Sequence, residues 1–248
     1  MVGMIFAAGI GSRLKPWTDF HPKALVPVGG VPMLVRVIDR MVGFGVSRIV
    51  VNVHHFADQI KEMVAGLDCP VKILISDETD RLLDTGGGLV NALPLIGHED
   101  VLIHNADVLD TVNASEMLEF HRASGADVTL LVDPRLTTRR FVFSQSDRLK
   151  GWTNSETGDV RPAGLKFEEA DKMRAFDGMH VISHSVFESL RQFATRDVRF
   201  SITDFYIENA DRLNIMGYDI PSDARWFDVG KPETLRKAEE YIKHSTFH

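Results

Sequence analysis

Met4-Ile5-Phe6-Ala7-Ala8-Gly9-Ile10-Gly11-Ser12-Arg13-Leu14-Lys15-Pro16 begins as an unbroken apolar run and breaks at Gly9 and Gly11. A short apolar run bounded by glycine reads as a buried strand over Met4 to Ala8. Glycines directly after such a strand let backbone N–H groups approach an anion with no Cβ in the way. Arg13, and then Lys23 in Pro22-Lys23-Ala24-Leu25-Val26-Pro27-Val28, add positive charge where a polyphosphate would lie. Taken alone, Gly9-x-Gly11 reads equally well as an ordinary strand-to-loop turn with solvated basic residues, because the pattern is common. Two better-known phosphate motifs are absent. A dinucleotide site needs a third glycine where Leu14 stands, and a P-loop needs Gly-Lys-Ser/Thr.

Outward from that turn, helical and strand-like patterns alternate. A helix over about Met33 to Phe44 is followed by strand Arg48 to Val53, a helix over Phe56 to Ala65 and strand Val71 to Ser76. A helix over Gly88 to Leu95, strand Val101 to Asn105, a helix over Ala114 to Ser124 and strand Val128 to Val132 continue the series. This βαβ order predicts an α/β fold: a single Rossmann-like domain over residues 1–248, with a mostly parallel mixed sheet flanked by helices. Ligands then belong at the carboxyl ends of the strands. Residues 135–172 change character, being polar and rich in turn formers, with β-like pieces at Arg140 to Ser144 and Leu149 to Asn154. They read as a β-hairpin or lid excursion. The chain re-enters at strand Ala175 to Ile182 and closes with a helix over Pro232 to Lys243.

Composition narrows the function classes. Hydrophobic residues make up 44% and charged residues 25% of 248, ordinary for a globular protein. A net charge of -7 argues against nucleic acid as a partner, since backbone phosphate affinity needs clustered Lys and Arg. No apolar run approaches a membrane span and no basic leader precedes the first strand, so no membrane association and a cytoplasmic location are expected. The single cysteine, Cys69, has no second thiol for a disulfide or zinc pair and reads as structural.

Three further blocks carry chemistry-bearing residues. Asp84-Thr85-Gly86-Gly87-Gly88 permits close backbone approach to a ligand, or makes a flexible helix start capped by Thr85. Leu102-Ile103-His104-Asn105-Ala106-Asp107 is an apolar strand ending in a carboxylate, and Trp226-Phe227-Asp228-Val229-Gly230-Lys231-Pro232-Glu233 holds another before a helix start. A lone Asp after a strand is more often a turn residue than a ligand.

Together these blocks resemble the sugar-phosphate nucleotidyltransferase family, whose pattern runs A-A-G-x-G-x-R-x-x-P-x-T and then P-K-x-L-x-P-V. Ala7 to Val28 matches it at every fixed position, with Pro16, Thr18, Pro22, Lys23, Leu25, Pro27 and Val28 completing it. Within that family the chain resembles the short N-acetylmuramate or mannose 1-phosphate type. The resemblance implies transfer of a nucleotidyl group from a nucleoside triphosphate, UTP favoured by the three glycines, to a sugar 1-phosphate, releasing pyrophosphate. It implies Arg13 and Lys23 as catalytic residues, and nucleotide contacts at Ala7, Ala8, Gly9, Gly11, Asp84, Gly87 and Gly88. Sugar-side contacts fall at Asn105 and Gly178, and Asp107 with Asp228 would hold Mg²⁺. Two departures from the pattern are Ala106 for the usual glycine and Lys231 for the usual threonine. A mannose-1-phosphate guanylyltransferase shares the amino-terminal block, and a non-catalytic nucleotide-sugar-binding regulator could keep the fold. A monomer or small homo-oligomer is expected.

Overall fold

The apolar run forms β1 (Val2–Phe6) in a computed structural model that describes residues 1–245. The strand starts and ends two residues earlier than expected. Ala7 lies beyond it because its N–H turns to donate to Asn52 Oδ1 at 2.8 Å. A tight hairpin of β2 (Pro27–Val28) and β3 (Val31–Pro32) leads into α1 (Met33–Gly43). The alternating half continues through β4 (Arg48–Val53), α2 (Ala57–Ala65), β5 (Lys72–Asp77), α3 (Asp84–Ile96) and β6 (Val101–Asn105). Next come β7 (Val108–Asp110), α4 (Ala114–Ala123) and β8 (Val128–Asp133), then β9 (Arg139–Phe143), β10 (Leu149–Asn154), β11 (Val160–Arg161) and the long β12 (Lys172–Ile182). The chain closes with α5 (Phe187–Ala194), α6 (Ile202–Glu208), β13 (Ile215–Asp219), β14 (Trp226–Asp228) and α7 (Pro232–His244).

The central sheet has the order β11-β10-β9-β12-β6-β1-β4-β5, with β8 paired to β12 and β13 to β8. β6, β1, β4 and β5 are parallel neighbours, as their helical crossovers require. β12 then enters antiparallel against β6 and separates it from β8, so the sheet is parallel only in part. Residues 139–161 do not stand apart from this sheet. β9 pairs with the first residues of β12, Lys172 opposite Phe143, so the β-rich excursion prolongs the same sheet. Helices cover both faces, and α1 shows why: Met33, Leu34, Val37, Ile38 and Met41 form one buried stripe at helical spacing.

α3 begins at Asp84, four residues before the expected start at Gly88. The three glycines lie inside the helix, and Thr85 is not its cap; Leu83 is, with no side-chain hydrogen bond. Packing decides this. A Cβ on Gly86 would lie 2.2 Å from the Phe200 ring, one on Gly87 2.1 Å from the Val198 carbonyl oxygen, and one on Gly88 2.6 Å from Glu78 Oε1. Each helical glycine costs about 0.5–1 kcal/mol relative to alanine, a cost offset here by the close approach of the 198–200 segment and Glu78.

Candidate active site

β1 delivers the glycine turn to the carboxyl edge of the parallel strands. Gly11 sits at φ 70°, and a Cβ there would lie 2.8 Å from Lys23 Cβ, so only glycine lets the turn fold over the lysine. The Thr18 hydroxyl donates to Gly11 O at 2.9 Å and ties the two halves of the Ala7 to Val28 block together. A Cβ on Gly9 would meet nothing within 4 Å, which leaves that backbone open to a ligand.

The two separated aspartates meet through a ribbon. β14 pairs antiparallel with β7, Asp228 opposite Val108, and Val229 N–H donates to Asp107 O at 2.9 Å. Below it, buried Asp110 accepts from Arg40 at 2.8 Å and bonds His104 at 2.7 Å. Burial pushes the Asp110 carboxyl up, but the His104 hydrogen bond and the charges of His104 and Arg40 outweigh it and hold the carboxyl below its ordinary value. The turn bearing Asp107 therefore rests on a fixed ionic base. Above it, Lys23 Nζ is paired with Asp107 Oδ2. Gly230 marks the point of convergence: a Cβ there would lie 2.7 Å from Asp228 Oδ1, 2.7 Å from Lys23 Nζ and 3.2 Å from Arg13 Nη2. Arg13, Lys23, Asp107 and Asp228 thus surround one point beside the glycine turn. Lys231 is an exposed residue at the start of α7. Among the described residues no group of three or more His, Cys, Asp or Glu could hold a metal ion, so any metal here would rest on these two carboxylates.

A cavity of about 340 Å³ opens next to that point, bounded by Ala8, Gly9, Asn52, Asp84, Thr85 and Asn105 among others. Asp84 adopts φ 62° at the start of α3 and lines the cavity, whereas Gly87 and Gly88 turn their Cβ directions into protein. A buried relay fixes the floor. Asn52 accepts from Ala7 N–H and donates to Glu78 Oε1 at 2.7 Å, and Glu78 Oε2 accepts from Leu83 N–H at 3.3 Å. Burial raises the Glu78 carboxyl above its ordinary value, against those hydrogen bonds. Asn52, Glu78 and Gly230 were not singled out from sequence. A signal existed for Asn52, the lone amide in the apolar strand Ile49-Val50-Val51-Asn52-Val53, at the strand end where ligands gather.

On the other side, Gly178 takes φ +84° in a bulge of β12, where a Cβ would lie 2.6 Å from Asn105 Nδ2. The two expected sugar-side residues are therefore in contact. Their neighbour Asp177 is 1% exposed, pairs with Arg135 through Oδ1, and leaves Oδ2 buried without a partner among the described residues. Arg135 lies 3.9 Å over the Trp226 ring, whose Nε1 donates to Asp177 O at 2.9 Å. Burial pushes Asp177 up to about 7 against the pull of Arg135. A raised carboxyl favours the protonated native state, so its contribution to stability is full below the unfolded value near 3.8 and is lost as pH rises through about 7. Asp177→Asn should flatten this fall, up to about 1.4 kcal/mol per pH unit. Chemical denaturation of both proteins between pH 4 and 8 checks it, and parallel pH profiles would refute it.

Known proteins are similar to this chain in sequence and in fold. The family model described as nucleotidyl transferase matches residues 2–245. An N-acetylmuramate alpha-1-phosphate uridylyltransferase of Caulobacter vibrioides is 28% identical over 246 residues, covering 96% of this chain and 95% of its own. A mannose-1-phosphate guanylyltransferase of Mycobacterium tuberculosis is 26% identical over 234 residues, 93% of this chain but only 61% of that relative's length. In fold, a UDP-glucose pyrophosphorylase from Acinetobacter baumanii superposes with a TM-score of 0.78 at 17% identity, covering 99% of this chain and 95% of that one.

Proposed function

The chain belongs to the nucleotidyl transferase family, and from that premise we propose that it transfers a nucleotidyl group, UTP favoured, to a sugar 1-phosphate with release of pyrophosphate. The observation that carries this reading is the meeting of Arg13, Lys23 and Asp228 at Gly230, with Asp107 paired to Lys23, at the mouth of the glycine turn.

A sugar phosphate is already a competent nucleophile at neutral pH, so the site needs no general base. Its task is to bring two polyanions into line. The attacking phosphate oxygen forms a bond to the α-phosphorus as the bond to pyrophosphate breaks. Lys23 is placed to neutralise charge on the transferred phosphate, and Arg13 to hold the departing one. The open backbone at Gly9 and the cavity walls at Asn52, Asp84 and Thr85 receive the nucleoside end. Asp107 and Asp228 are the residues that would hold Mg²⁺, which binds through one or two carboxylates plus substrate phosphates and supplies charge neutralisation between them. The donor set among the described residues fits that ion: two hard oxygen ligands and no third.

The test crosses UTP, GTP, CTP and dTTP with several sugar 1-phosphates, with and without Mg²⁺, and reads pyrophosphate. UTP should give the highest metal-dependent rate. A GTP preference would replace uridylyl by guanylyl transfer, in line with the mannose-1-phosphate relative. Silence from folded protein throughout would leave a nucleotide-sugar-binding regulator in its place.

A further inference from the structure

Two backbone donors flank the proposed nucleoside cavity. Ala7 N–H lies at the start of the glycine turn, directly before the cavity residues Ala8 and Gly9, and Leu83 N–H lies between the cavity residues Leu82 and Asp84. Two buried side chains join them: Asn52 on β4, 2% exposed, and Glu78 just after β5, 3% exposed. Glu78 is itself fixed beside β4, its N–H donating to Val53 O at 2.8 Å.

The polarity of this chain of hydrogen bonds is set from both ends, because a backbone N–H only donates. The Asn52 atom that faces Ala7 is therefore its carbonyl oxygen, at 2.8 Å, and its amino group is turned to Glu78 Oε1, at 2.7 Å. Glu78 Oε2 accepts from Leu83 N–H at 3.3 Å. With a fixed donor at each end, the two side chains between must offer three acceptors and one donor. An asparagine followed by a carboxylate supplies that set. A glutamine in place of the carboxylate does not, because one N–H would then face another. Gly88 belongs to the same arrangement: a Cβ there would lie 2.6 Å from Glu78 Oε1 and 2.8 Å from Asn52 Nδ2, so the third glycine of α3 makes room for the pair. Glu78 is buried with no salt bridge among the described residues. An unpaired buried carboxylate is costly, which makes it a poor choice for a link that only holds strands together.

We propose that Glu78 is a positioning residue for the nucleotide: acting on Ala7 through Asn52, and on Leu83 directly, it holds the glycine turn and the start of α3 at the separation that a nucleoside triphosphate spans. Gly88 serves the nucleotide by admitting Glu78, not by touching the ligand. The inference rests on the nucleotidyl-transfer reading above.

Calorimetric binding of UTP and of GTP, each with Mg²⁺, tests it beside pyrophosphate release and thermal melts of the same preparations. Glu78→Gln is nearly isosteric, yet it should weaken triphosphate binding about 10-fold, the scale of a mismatched buried hydrogen bond, and leave the acceptor KM within about threefold of the parent. Asn52→Asp alone sets two carboxylates against each other and should bind as weakly. The double variant N52D/E78Q again offers three acceptors and one donor, with the middle bond reversed, and should return binding to within about threefold of the parent. A merely structural role would lower the melting temperature of E78Q and leave triphosphate binding by the folded protein unchanged. Should E78Q not fold, Gly88→Ala, whose methyl would meet the same two atoms, should weaken triphosphate binding to a similar degree. Parent-like binding by folded E78Q or by G88A, or a double variant that binds as weakly as E78Q or does not fold, would overturn the inference and leave the transferase reading standing. A parent protein that binds neither triphosphate and releases no pyrophosphate would take down both.

Discussion

Replacing Lys23 by methionine should lower the rate of pyrophosphate release by about 10²–10³-fold while moving the melting temperature little. Lys23 is nearly buried and its ammonium is held by Asp107, so it lies at a set place beside the glycine turn. In the proposed reaction two phosphates must approach each other, and that charge, together with Arg13, would offset their repulsion. The stability cost is small because Asp107 remains 24% exposed and can be hydrated once its partner is gone. Saturating-substrate turnover and a thermal melt of the same preparation decide the matter. Turnover within about threefold of the parent would remove Lys23 from the machinery, and unfolding at the assay temperature would show a structural role instead. Lys23→Arg should recover only part of the rate, because its planar fork cannot act as a compact point charge.

Gly230→Ala should cost about 10²-fold in turnover, the scale of an ångström's misplacement in a reacting site. The added methyl would meet Lys23 Nζ, Asp228 Oδ1 and Arg13 Nη2, all ends of side chains that can swing aside. The fold therefore accommodates the substitution with little loss of stability. What it cannot accommodate without loss is the displacement itself, since in the proposed reaction these are the groups set against the phosphates. The effect should fall on kcat more than on KM for the nucleotide, since the proposed nucleoside cavity at Asn52, Asp84 and Thr85 lies apart from the added methyl. A normal rate, or a loss confined to KM, would mean that the convergence at Gly230 is incidental to turnover.

Much of this site was legible in the chain itself. The strand into Gly9 and Gly11 could be read because burial of a short apolar run and the reach of glycine are local properties. The start of α3 at Asp84, ahead of the three glycines, could not. Glycine's penalty in a helix is local, whereas the packing that offsets it comes from Val198 and Phe200, distant in sequence. β7 and β14 escaped notice for another reason: strands of three residues carry no periodicity. Asp177 lay unremarked inside an apolar strand, and Glu78 inside a short polar segment, because neither residue type nor spacing says what a side chain faces.

The sequence by itself determined the α/β alternation, the parallel core strands, the phosphate-suited turn and the residue types available for charge neutralisation. Each follows from patterns that repeat or break within a few residues. Only the tertiary structure decided that β12 divides β6 from β8, that residues 139–161 extend the sheet, and that Asp107 and Asp228 flank one point with Lys23 and Arg13. Those outcomes depend on the pairing of segments far apart in the chain. Such pairing is selected by burial and hydrogen bonding of the whole sheet, and no local stretch contains the information to choose it.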